Sequence, residues 1–238
     1  MDGGIRMTAH EPRVLAINGS PHREGNTAKV MRWVADGCEA AGAVVDWFDA
    51  QSAEIDYCRG CNACLRTGQC VQDDSFAELY ERIQEAGGLI VGSPVYEGQM
   101  TAQLKTIADR LALLTLYAGV LQDHWTVGVA TSGVAPARPL ARQLADLFGQ
   151  RSGFVGLRTA SLRAGQLPPS VAAGVRGIER AKAMGRRLVR DIENGRTIPP
   201  MKAVWIRLLR RRLLPRLVMK TPGEFAAVIE IWRDRGWL

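Results

Sequence analysis

The stretch RVLAINGSPHREGNTAKV, residues 13–30, decides the fold. Its apolar run Arg13–Asn18 is short and closes in a Gly-Ser-Pro turn, which is typical of a buried parallel strand. A helical pattern follows the loop and stops at Gly42, with apolar residues at Val30, Trp33, Val34 and Cys38. The stretch therefore predicts a strand, a polar loop and a helix in direct succession.

The rest of the chain repeats this alternation. Short apolar runs predict strands at residues 13–18, 43–48, 88–96, 125–133 and 154–162. Amphipathic patterns predict helices at residues 26–42, 73–88, 101–114, 136–150 and 174–195. Strands that alternate with helices predict an α/β fold, in which a parallel sheet is covered on both faces. In such sheets a ligand binds beyond the carboxyl ends of the strands, where the strand order reverses.

The loop after the first strand, residues 18–27, carries the donors of a phosphate site. The side chains of Ser20, Asn26 and Thr27 and several backbone N–H groups stand at the start of a helix, which suits a phosphate monoester. The loop matches neither a Walker motif nor a dinucleotide-binding Gly-x-Gly-x-x-Gly. The alternative interpretation is a turn with a helix cap.

Three motifs resemble those of the flavodoxin-like NAD(P)H-dependent FMN reductases: INGSPHREGNTAKV (17–30), GSPVY (92–96) and LKTIADR (104–110). The resemblance covers residues 13–195. It implies a doubly wound, five-stranded parallel sheet of order 2-1-3-4-5. It also implies FMN as the cofactor, with the phosphate bound by Ser20, Gly25, Asn26 and Thr27. Two further contacts to the cofactor are implied at His22 and Arg23.

The same resemblance implies that two more loops line the flavin. Along the ring would lie Ser93, Pro94, Val95 and Tyr96. The third loop would contribute Thr131, Ser132 and Gly133, where the chain departs from the glycine-rich run of many relatives. A rigid proline and a flat tyrosine can flank an aromatic ring, although Tyr96 could instead only pack the loop. The family helix pattern includes Lys105, Asp109 and Arg110, which we interpret as structural ion-pairing residues.

Four of the five cysteines lie in CRGCNACLRTGQC, residues 58–70, after the second strand. Cysteines with two residues between them on a curved loop can converge on an iron–sulfur cluster without help from distant parts of the chain. The spacing favours a [4Fe–4S] cluster, and zinc, redox-active thiols and inert cysteines are the alternatives. The fifth cysteine, Cys38, lies on the apolar face of the first helix and is interpreted as a core residue.

The cysteine spacing resembles that of the iron–sulfur flavoproteins, a branch of the same reductase family. The resemblance implies that a [4Fe–4S] cluster exchanges electrons with FMN on the ligands Cys58, Cys61, Cys64 and Cys70. Flavin reductases without a demonstrated cluster share a very similar stretch, so the role of Cys70 is left open between a fourth ligand and a plain loop residue.

The length and the net charge of the chain limit the classes of function that we expect. The chain has 238 residues, 47% of them hydrophobic, which fits one large domain or one domain plus an appendage. The net charge of +7 equals the number of cations between residues 201 and 220, where no acid occurs. Since the remainder is formally neutral, a nucleic-acid-binding core is not expected. No apolar run reaches the length of about 18 residues that a membrane-spanning helix needs.

We divide the chain into a disordered leader (1–12), an FMN-binding domain (13–198, with a cysteine loop at 57–73) and a basic helical extension (199–238). The extension is expected to pack on another subunit of a homodimer or homotetramer, and its segment 201–220 could alternatively contact a membrane surface or an acidic partner. Its last part, residues 225–238, is rich in apolar residues and tryptophan, which also suits an interface. The leader has no secretory signal, so a cytoplasmic location is expected.

Together with these patterns, the resemblance implies an FMN-dependent oxidoreductase with a [4Fe–4S] cluster. It would move electrons between NAD(P)H or ferredoxin and a small acceptor, with chemistry centred on the flavin and no catalytic side chain of its own. One alternative is a cluster-free NAD(P)H:FMN or quinone reductase. Another is a non-enzymatic electron carrier or redox sensor that docks an acidic partner.

Overall fold

A computed structural model gives the structure of the protein and describes residues 11–158, 175–195 and 212–238. Five parallel strands form one sheet: β1 (Arg13–Asn18), β2 (Val44–Asp49), β3 (Gly88–Pro94), β4 (Trp125–Ser132) and β5 (Gln150–Arg158). Their order in the sheet is β2-β1-β3-β4-β5, as the resemblance predicted. The fold is therefore the flavodoxin-like doubly wound sheet.

Eight α-helices are seen in the described residues: α1 (Asn26–Glu39), α2 (Ala63–Thr67), α3 (Phe76–Glu85), α4 (Ala102–Leu113), α5 (Arg138–Leu147), α6 (Val175–Asn194), α7 (Leu214–Val218) and α8 (Ala226–Asp234). A π-helical turn, Leu114–Ala118, continues α4, and a 3-10 turn, Pro222–Phe225, precedes α8. The predicted boundary between α5 and β5 was wrong. The helix ends at Leu147 and the strand already begins at Gln150, because Gly149 turns the chain at a φ of 151°.

Alternate residues of the central strands point to opposite faces of the sheet and bury two cores. On one face, Val14 and Ala16 of β1 pack with side chains of α1 and α6. On the other face, Leu15 and Ile17 pack with α3, α4 and α5. Both faces of β1 are therefore apolar, which explains why its sequence is a continuous apolar run.

The core formed by β1, α1 and α6 depends on a close backbone contact between α1 and α6. A Cβ atom on Gly185 would lie 2.0 Å from the carbonyl oxygen of Val34, and one on Gly37 would lie 2.0 Å from that of Lys182. Any larger residue at either position would push the helices apart. Cys38 is fully buried at the same crossing, and its thiol donates to the Gly185 carbonyl, which confirms its structural role.

The C-terminal segment folds back onto its own chain. Val228 and Trp232 of α8 are buried, and the Trp232 indole N–H donates to the carbonyl oxygen of Tyr117 at 2.8 Å. Ala227 of α8 packs against Gly68 of the cysteine loop. A Cβ atom placed on Gly68 would lie 3.5 Å from the Cβ atom of Ala227. The apolar residues that suggested a subunit interface are thus used, at least in part, within one chain.

Two predicted segments lie wholly or largely outside the described residues. They are the leader, of which residues 1–10 are not described, and the basic stretch, of which residues 201–211 are not described. Among the described residues, no helix has the length and apolar character that a membrane span needs.

We expect Trp232→Ala to lower the free energy of unfolding of the apo-protein by about 3–5 kcal/mol, the usual cost of truncating a buried tryptophan. The substitution opens a cavity beside the π-helical turn and leaves the Tyr117 carbonyl without its donor. Equilibrium urea unfolding measures the effect. The matched control, Leu217→Ala on α7, removes a side chain from a residue that is 56% exposed and should change stability by no more than about 0.5 kcal/mol. Equal effects of the two substitutions would contradict the packing of α8.

Candidate functional site

Three polar loops meet at the carboxyl edge of the sheet. They follow β1, β3 and β4, which are neighbours in the order of the sheet. The chain leaves β1 through α1 on one face, whereas β3 connects through α4 on the other face. This divergence opens a crevice between the loops, which is where ligands of doubly wound sheets bind.

The loop after β1 is held by its own side chains. Asn18 accepts the Ser20 N–H at 3.1 Å through its side-chain oxygen, and the Ser20 hydroxyl accepts the His22 N–H at 3.1 Å. Gly25 then donates its N–H to the His22 carbonyl at 3.0 Å. The loop is therefore wound tightly against the start of α1, with Ser20 almost fully buried.

The N-terminus of α1 is open to an anion. Within the described residues, no side chain caps this helix, and its first turn contains no acid. A Cβ atom on Gly25 would lie 2.9 Å from the Cβ of His22, so glycine is needed where the loop meets the helix. The first-turn N–H groups and the positive end of the helix dipole are the elements of a phosphate site.

Thr27 joins two of the three loops. Its hydroxyl lies 2.7 Å from the hydroxyl of Thr131, and both residues are buried. Beside Thr131, Ser132 is also buried, whereas Gly133 is exposed and has free space around the position of a Cβ atom. The predicted phosphate loop and the predicted third loop are therefore in direct contact.

The side chains of His22 and Arg23 are exposed, and Arg23 already has an acidic partner. Its Nε atom donates to the Asp49 carboxylate at 3.0 Å. The same carboxylate accepts the Asn18 amide N–H at 2.8 Å. Asp49 thus connects the carboxyl ends of β1 and β2. Sequence reasoning missed Asp49, although its position at the end of a strand beside β1 was a usable signal.

The loop after β3 displays Tyr96 and buries Ser93. The Ser93 hydroxyl donates to the Pro94 carbonyl at 2.8 Å and accepts the Thr101 N–H at 3.0 Å, so it braces the loop from inside. Val95 donates its N–H to the Thr131 carbonyl at 2.8 Å. Tyr96 pairs with Gln99 across a tight turn and is 50% exposed. Of the predicted ring contacts, Pro94, Val95 and Tyr96 are the more accessible ones.

Thr101 is a second residue whose role sequence reasoning missed. It was expected to open α4, and it does so by accepting the Leu104 N–H at 3.4 Å. Its hydroxyl also donates to the carbonyl oxygen of Gly19 in the loop after β1. The same side chain therefore caps α4 and fixes that loop, which no local sequence pattern reveals.

The cysteine loop lies beside α8 and exposes two of its four thiols. Cys58 and Cys61 are exposed, whereas Cys64 on α2 and Cys70 are half-buried, and none of them is in a disulfide. The backbone turns sharply through positive φ angles at Gly60 (64°), Asn62 (57°) and Gly68 (76°). These turns bend the loop around α2 and are easiest for glycine and asparagine.

The four thiols interact electrostatically. Burial raises the pKa of Cys64, and the negative charges that Cys70, Cys58 and Cys61 would carry raise this pKa further. A cationic metal centre bound by these cysteines would offset this repulsion at Cys64. Within the described ranges, however, no three His, Cys, Asp or Glu side chains form a closed metal-binding group. The loop thus carries four sulfur donors in one short segment, although the donors are not as close together as the ligands of a single metal centre.

A buried ion pair closes the base of this loop. Asp74 accepts two N–H groups of the Arg110 guanidinium, at 2.7 and 3.0 Å, and also the backbone N–H of Asp56 at 3.0 Å. Arg110 in turn donates to the Asp56 carbonyl at 2.8 Å. Residues on both sides of the four cysteines are thereby tied to α4.

The predicted structural ion pairs on α4 are confirmed. Arg110 pairs with Asp74 in the interior, and Lys105 pairs with Asp109 at the surface. Burial would raise the pKa of Asp74, but hydrogen bonds from Arg110, Asp56 and Phe76 and the positive charge of Arg110 lower it below its ordinary value of 3.8.

Comparison with known proteins agrees with this geometry. The family described as NADPH-dependent FMN reductase matches residues 12–166. An iron–sulfur flavoprotein of Archaeoglobus fulgidus is 30% identical over 194 residues, which are 76% of this chain and 96% of the relative. Another from the same organism is 27% identical and is matched over 95% of this chain and 100% of its own length.

Solved structures share the fold at low sequence identity. The NAD(P)H:quinone oxidoreductase of Methanothermobacter marburgensis superposes with a TM-score of 0.53 at 18% identity, over 75% of this chain and 100% of that chain. A flavone reductase superposes with a TM-score of 0.54 at 16% identity, over 76% and 63% of the two chains. At these identities the likeness supports the doubly wound fold.

We expect Asp74→Asn to lower the free energy of unfolding of the apo-protein at pH 7 by about 3–5 kcal/mol, because Arg110 would keep a buried, unpaired charge. The pKa of Asp74 is lowered by folding, so its contribution is present above pH 3.8 and is lost as the pH falls through the folded-state pKa. The difference between wild type and variant should therefore shrink in acid, as measured by urea unfolding across pH.

The matched control is Asp109→Asn, which breaks the exposed pair with Lys105 on the same helix. Its cost should be about 0.5 kcal/mol or less, since exposed pairs contribute little. A stability difference for Asp74→Asn that stays constant into strong acid would show that the carboxylate charge is not what stabilises the loop.

Proposed function

The chain belongs to the NADPH-dependent FMN reductase family, in its iron–sulfur flavoprotein branch, and we propose that it is an FMN-dependent oxidoreductase with a [4Fe–4S] cluster. Cys58, Cys61, Cys64 and Cys70 would hold the cluster. Membership of this family shows that the chain is a flavin-dependent oxidoreductase. What we propose beyond family membership is the presence of the cluster, the identity of its ligands, and the electron donor and acceptor.

The observation that carries the proposal is that four cysteines, none of them in a disulfide, lie within 13 residues on one loop. A [4Fe–4S] cluster is held by four cysteine thiolates. The loop provides four, its neighbour Arg110 provides a buried positive charge, and its turns at Gly60 and Gly68 let the chain bend around a bulky group. The donor set fits the cluster better than it fits a lone zinc finger pair.

The three loops at the carboxyl edge fit FMN. The open N-terminus of α1 with Ser20, Gly25, Asn26 and Thr27 would bind the phosphate, as it suits a dianion. His22 and Arg23 would approach the cofactor from the exposed side of the loop. The accessible residues of the other two loops would line the flavin ring, namely Pro94, Val95, Tyr96 and Gly133. The buried residues of these loops, Ser93, Thr131 and Ser132, would hold the loops in shape.

The protein's own part in catalysis is to bind and orient. When bound, FMN supplies a centre that exchanges one or two electrons and the cluster supplies a one-electron centre, which couples a hydride donor such as NAD(P)H to one-electron partners such as ferredoxin. The Ser93 hydroxyl fixes the loop after β3, and the Thr27–Thr131 contact fixes the spacing of the phosphate loop and the third loop. These contacts preorganise the crevice before a ligand enters.

A cluster-free NAD(P)H:FMN or quinone reductase is the second candidate. The observation in its favour is that Cys58 and Cys61 are exposed and that the described residues contain no closed group of three metal-binding side chains. In that case the flavin in the crevice would act without a cluster, and the cysteine loop would bind no metal. Small-molecule substrates, a homo-oligomer and an acidic partner remain proposals for both candidates.

The deciding experiment counts iron, sulfide and flavin per chain in anaerobically purified protein. We expect about four iron and four sulfide for each FMN, with a broad absorption band that dithionite bleaches. Cys64→Ser should lose the iron and sulfide but keep FMN, because the flavin loops do not include it. Cys38→Ser, at the α1–α6 crossing, is the matched control and should keep both cofactors. Wild-type protein with FMN but without iron and sulfide would favour the cluster-free reductase.

The phosphate loop is tested separately with Ser20→Ala. Loss of a hydrogen bond to a charged group costs about 1.5–3 kcal/mol, so we expect FMN to bind roughly 10- to 100-fold more weakly. Riboflavin, which lacks the phosphate, should bind Ser20→Ala and wild type equally. Fluorescence titration of apo-protein measures both affinities. An equal loss for the two flavins would mean that Ser20 shapes the loop without contacting the phosphate.

A further inference from the structure

The short helix α7 leaves one of its sides uncovered. On its inner side, Leu214 and Val218 are buried and belong to the core that contains α3, α4 and α5. On its outer side, Leu213, Leu217 and Met219 are 47%, 56% and 52% exposed. Large apolar side chains that are grouped at a surface mark sites of interaction with proteins or membranes, whereas isolated ones carry no such meaning.

Three cations lie among these apolar side chains. Arg212 and Arg216 are one helical turn apart, as are Leu213 and Leu217, so a basic row runs beside an apolar row. Lys220 continues the basic row at the turn after the helix, and all three cations are exposed. We call this surface the basic α7 face, and its members are Arg212, Leu213, Arg216, Leu217, Met219 and Lys220.

The positive charge of the basic α7 face is not balanced by the chain around it. Among the described residues, none of its three cations pairs with an acid. The sequence contains seven cations and no acid between residues 201 and 220, and the first acid after α7 is Glu224. Elsewhere at the surface, by contrast, Arg151 pairs with Asp146 at 3.2 Å. The charge of the face is therefore available to a binding partner.

A second copy of the chain does not suit this face. A twofold interface brings the same patch of both subunits together, so the three cations would meet their own copies. No acid lies within the face to compensate for this repulsion, which grows as water is excluded. The partner that covers the face must therefore carry negative charge as well as apolar surface.

A membrane surface with anionic lipids supplies both. Its headgroups are negatively charged and its acyl chains begin directly below them. Leucine and methionine side chains can enter the hydrocarbon while long basic side chains reach back to the headgroups. An acidic protein would have to present its carboxylates in a fixed register, although no printed contact with the described residues positions the three basic side chains. Such cations suit lipids, which diffuse laterally to meet them.

We propose that the basic α7 face docks the protein on an anionic membrane surface. Its three apolar side chains insert at the boundary between headgroups and acyl chains, and its three cations bind lipid phosphates. Because Leu214 and Val218 anchor α7 in the core, docking requires no unfolding of the segment. The proposal goes beyond the function proposed above and depends on neither FMN nor a cluster.

The test is flotation of the full-length protein with lipid vesicles. Since cations gain free energy near an anionic surface, we expect vesicles with about one-third phosphatidylglycerol to bind the protein roughly 100-fold more tightly than vesicles of phosphatidylcholine alone. Raising the ionic strength from about 0.05 to about 0.5 M should weaken this binding, because salt screens charges at a surface.

The arginine pair tests the basic row. Arg212→Gln/Arg216→Gln should bind the anionic vesicles about 30-fold more weakly, which is about fivefold for each cation. The matched control is Arg176→Gln/Arg180→Gln, which removes two exposed cations with the same spacing from α6. It changes the net charge equally, and its binding should change by no more than about threefold.

The leucine pair tests the apolar row. Leu213→Ser/Leu217→Ser should bind the anionic vesicles about 10-fold more weakly, because the side chains can no longer enter the hydrocarbon. The control, Leu116→Ser/Leu147→Ser, changes two leucines that are 52% and 42% exposed elsewhere on the surface and should bind like wild type. Urea unfolding confirms that each variant is folded before it is compared.

The other outcomes overturn the proposal, and each identifies a different use of the face. Wild-type protein that does not bind anionic vesicles has no membrane-docking face. Equal losses for the two arginine pairs would mean that only net charge matters. Binding that survives the leucine substitutions but not those at Arg212 and Arg216 would mean that nothing inserts, which favours an acidic protein partner. A wild-type oligomer that Leu213→Ser/Leu217→Ser dissociates in sedimentation velocity would make the face a subunit interface.

Discussion

One helix, α4, connects the two chemical parts of the molecule. At its N-terminus the capping residue Thr101 donates to the Gly19 carbonyl in the loop after β1, and near its other end Arg110 binds both flanks of the cysteine loop. These two residues are nine positions apart, which is about 14 Å of helix rise. Because a helix is stiff over this length, α4 fixes the distance between its contact with the loop after β1 and its contact with the flanks of the cysteine loop.

The energetic cost of this arrangement is concentrated in the Arg110–Asp74 pair. Taking both charges out of water is unfavourable, and their attraction offsets it only with good geometry and additional hydrogen bonds. Here Asp74 accepts four N–H groups, two from Arg110 and one each from Asp56 and Phe76. A pair of apolar residues could stabilise the same space, but it could not tie the backbone before Cys58 to the backbone after Cys70. The pair therefore contributes specificity of loop geometry more than net stability.

The fold was largely predictable from sequence, whereas the uses of several side chains were not. Apolar runs and helical patterns depend on short-range periodicity, so the β1 strand and the α1 helix could be located from residues 13–42 alone. Ser93 shows the limit: its motif implied a ring contact, but no local pattern indicated that its hydroxyl would accept the N–H of Thr101, eight residues later. Asp49 and Thr101 act across the carboxyl edge through contacts that depend on strand order. Such long-range pairings leave no periodic signal in the sequence.

The C-terminal segment shows how one apolar pattern can serve two purposes. Its sequence suits an interface, and the structure uses Val228 and Trp232 to cover α2 and the π-helical turn within the same chain. Exposed apolar side chains remain on the other side of the segment, at Leu213, Leu217 and Met219, among the cations Arg212, Arg216 and Lys220. The segment is thus divided by face. Its inner residues pack beside the cysteine loop, whereas the residues in and around α7 leave both apolar side chains and positive charge exposed at the surface.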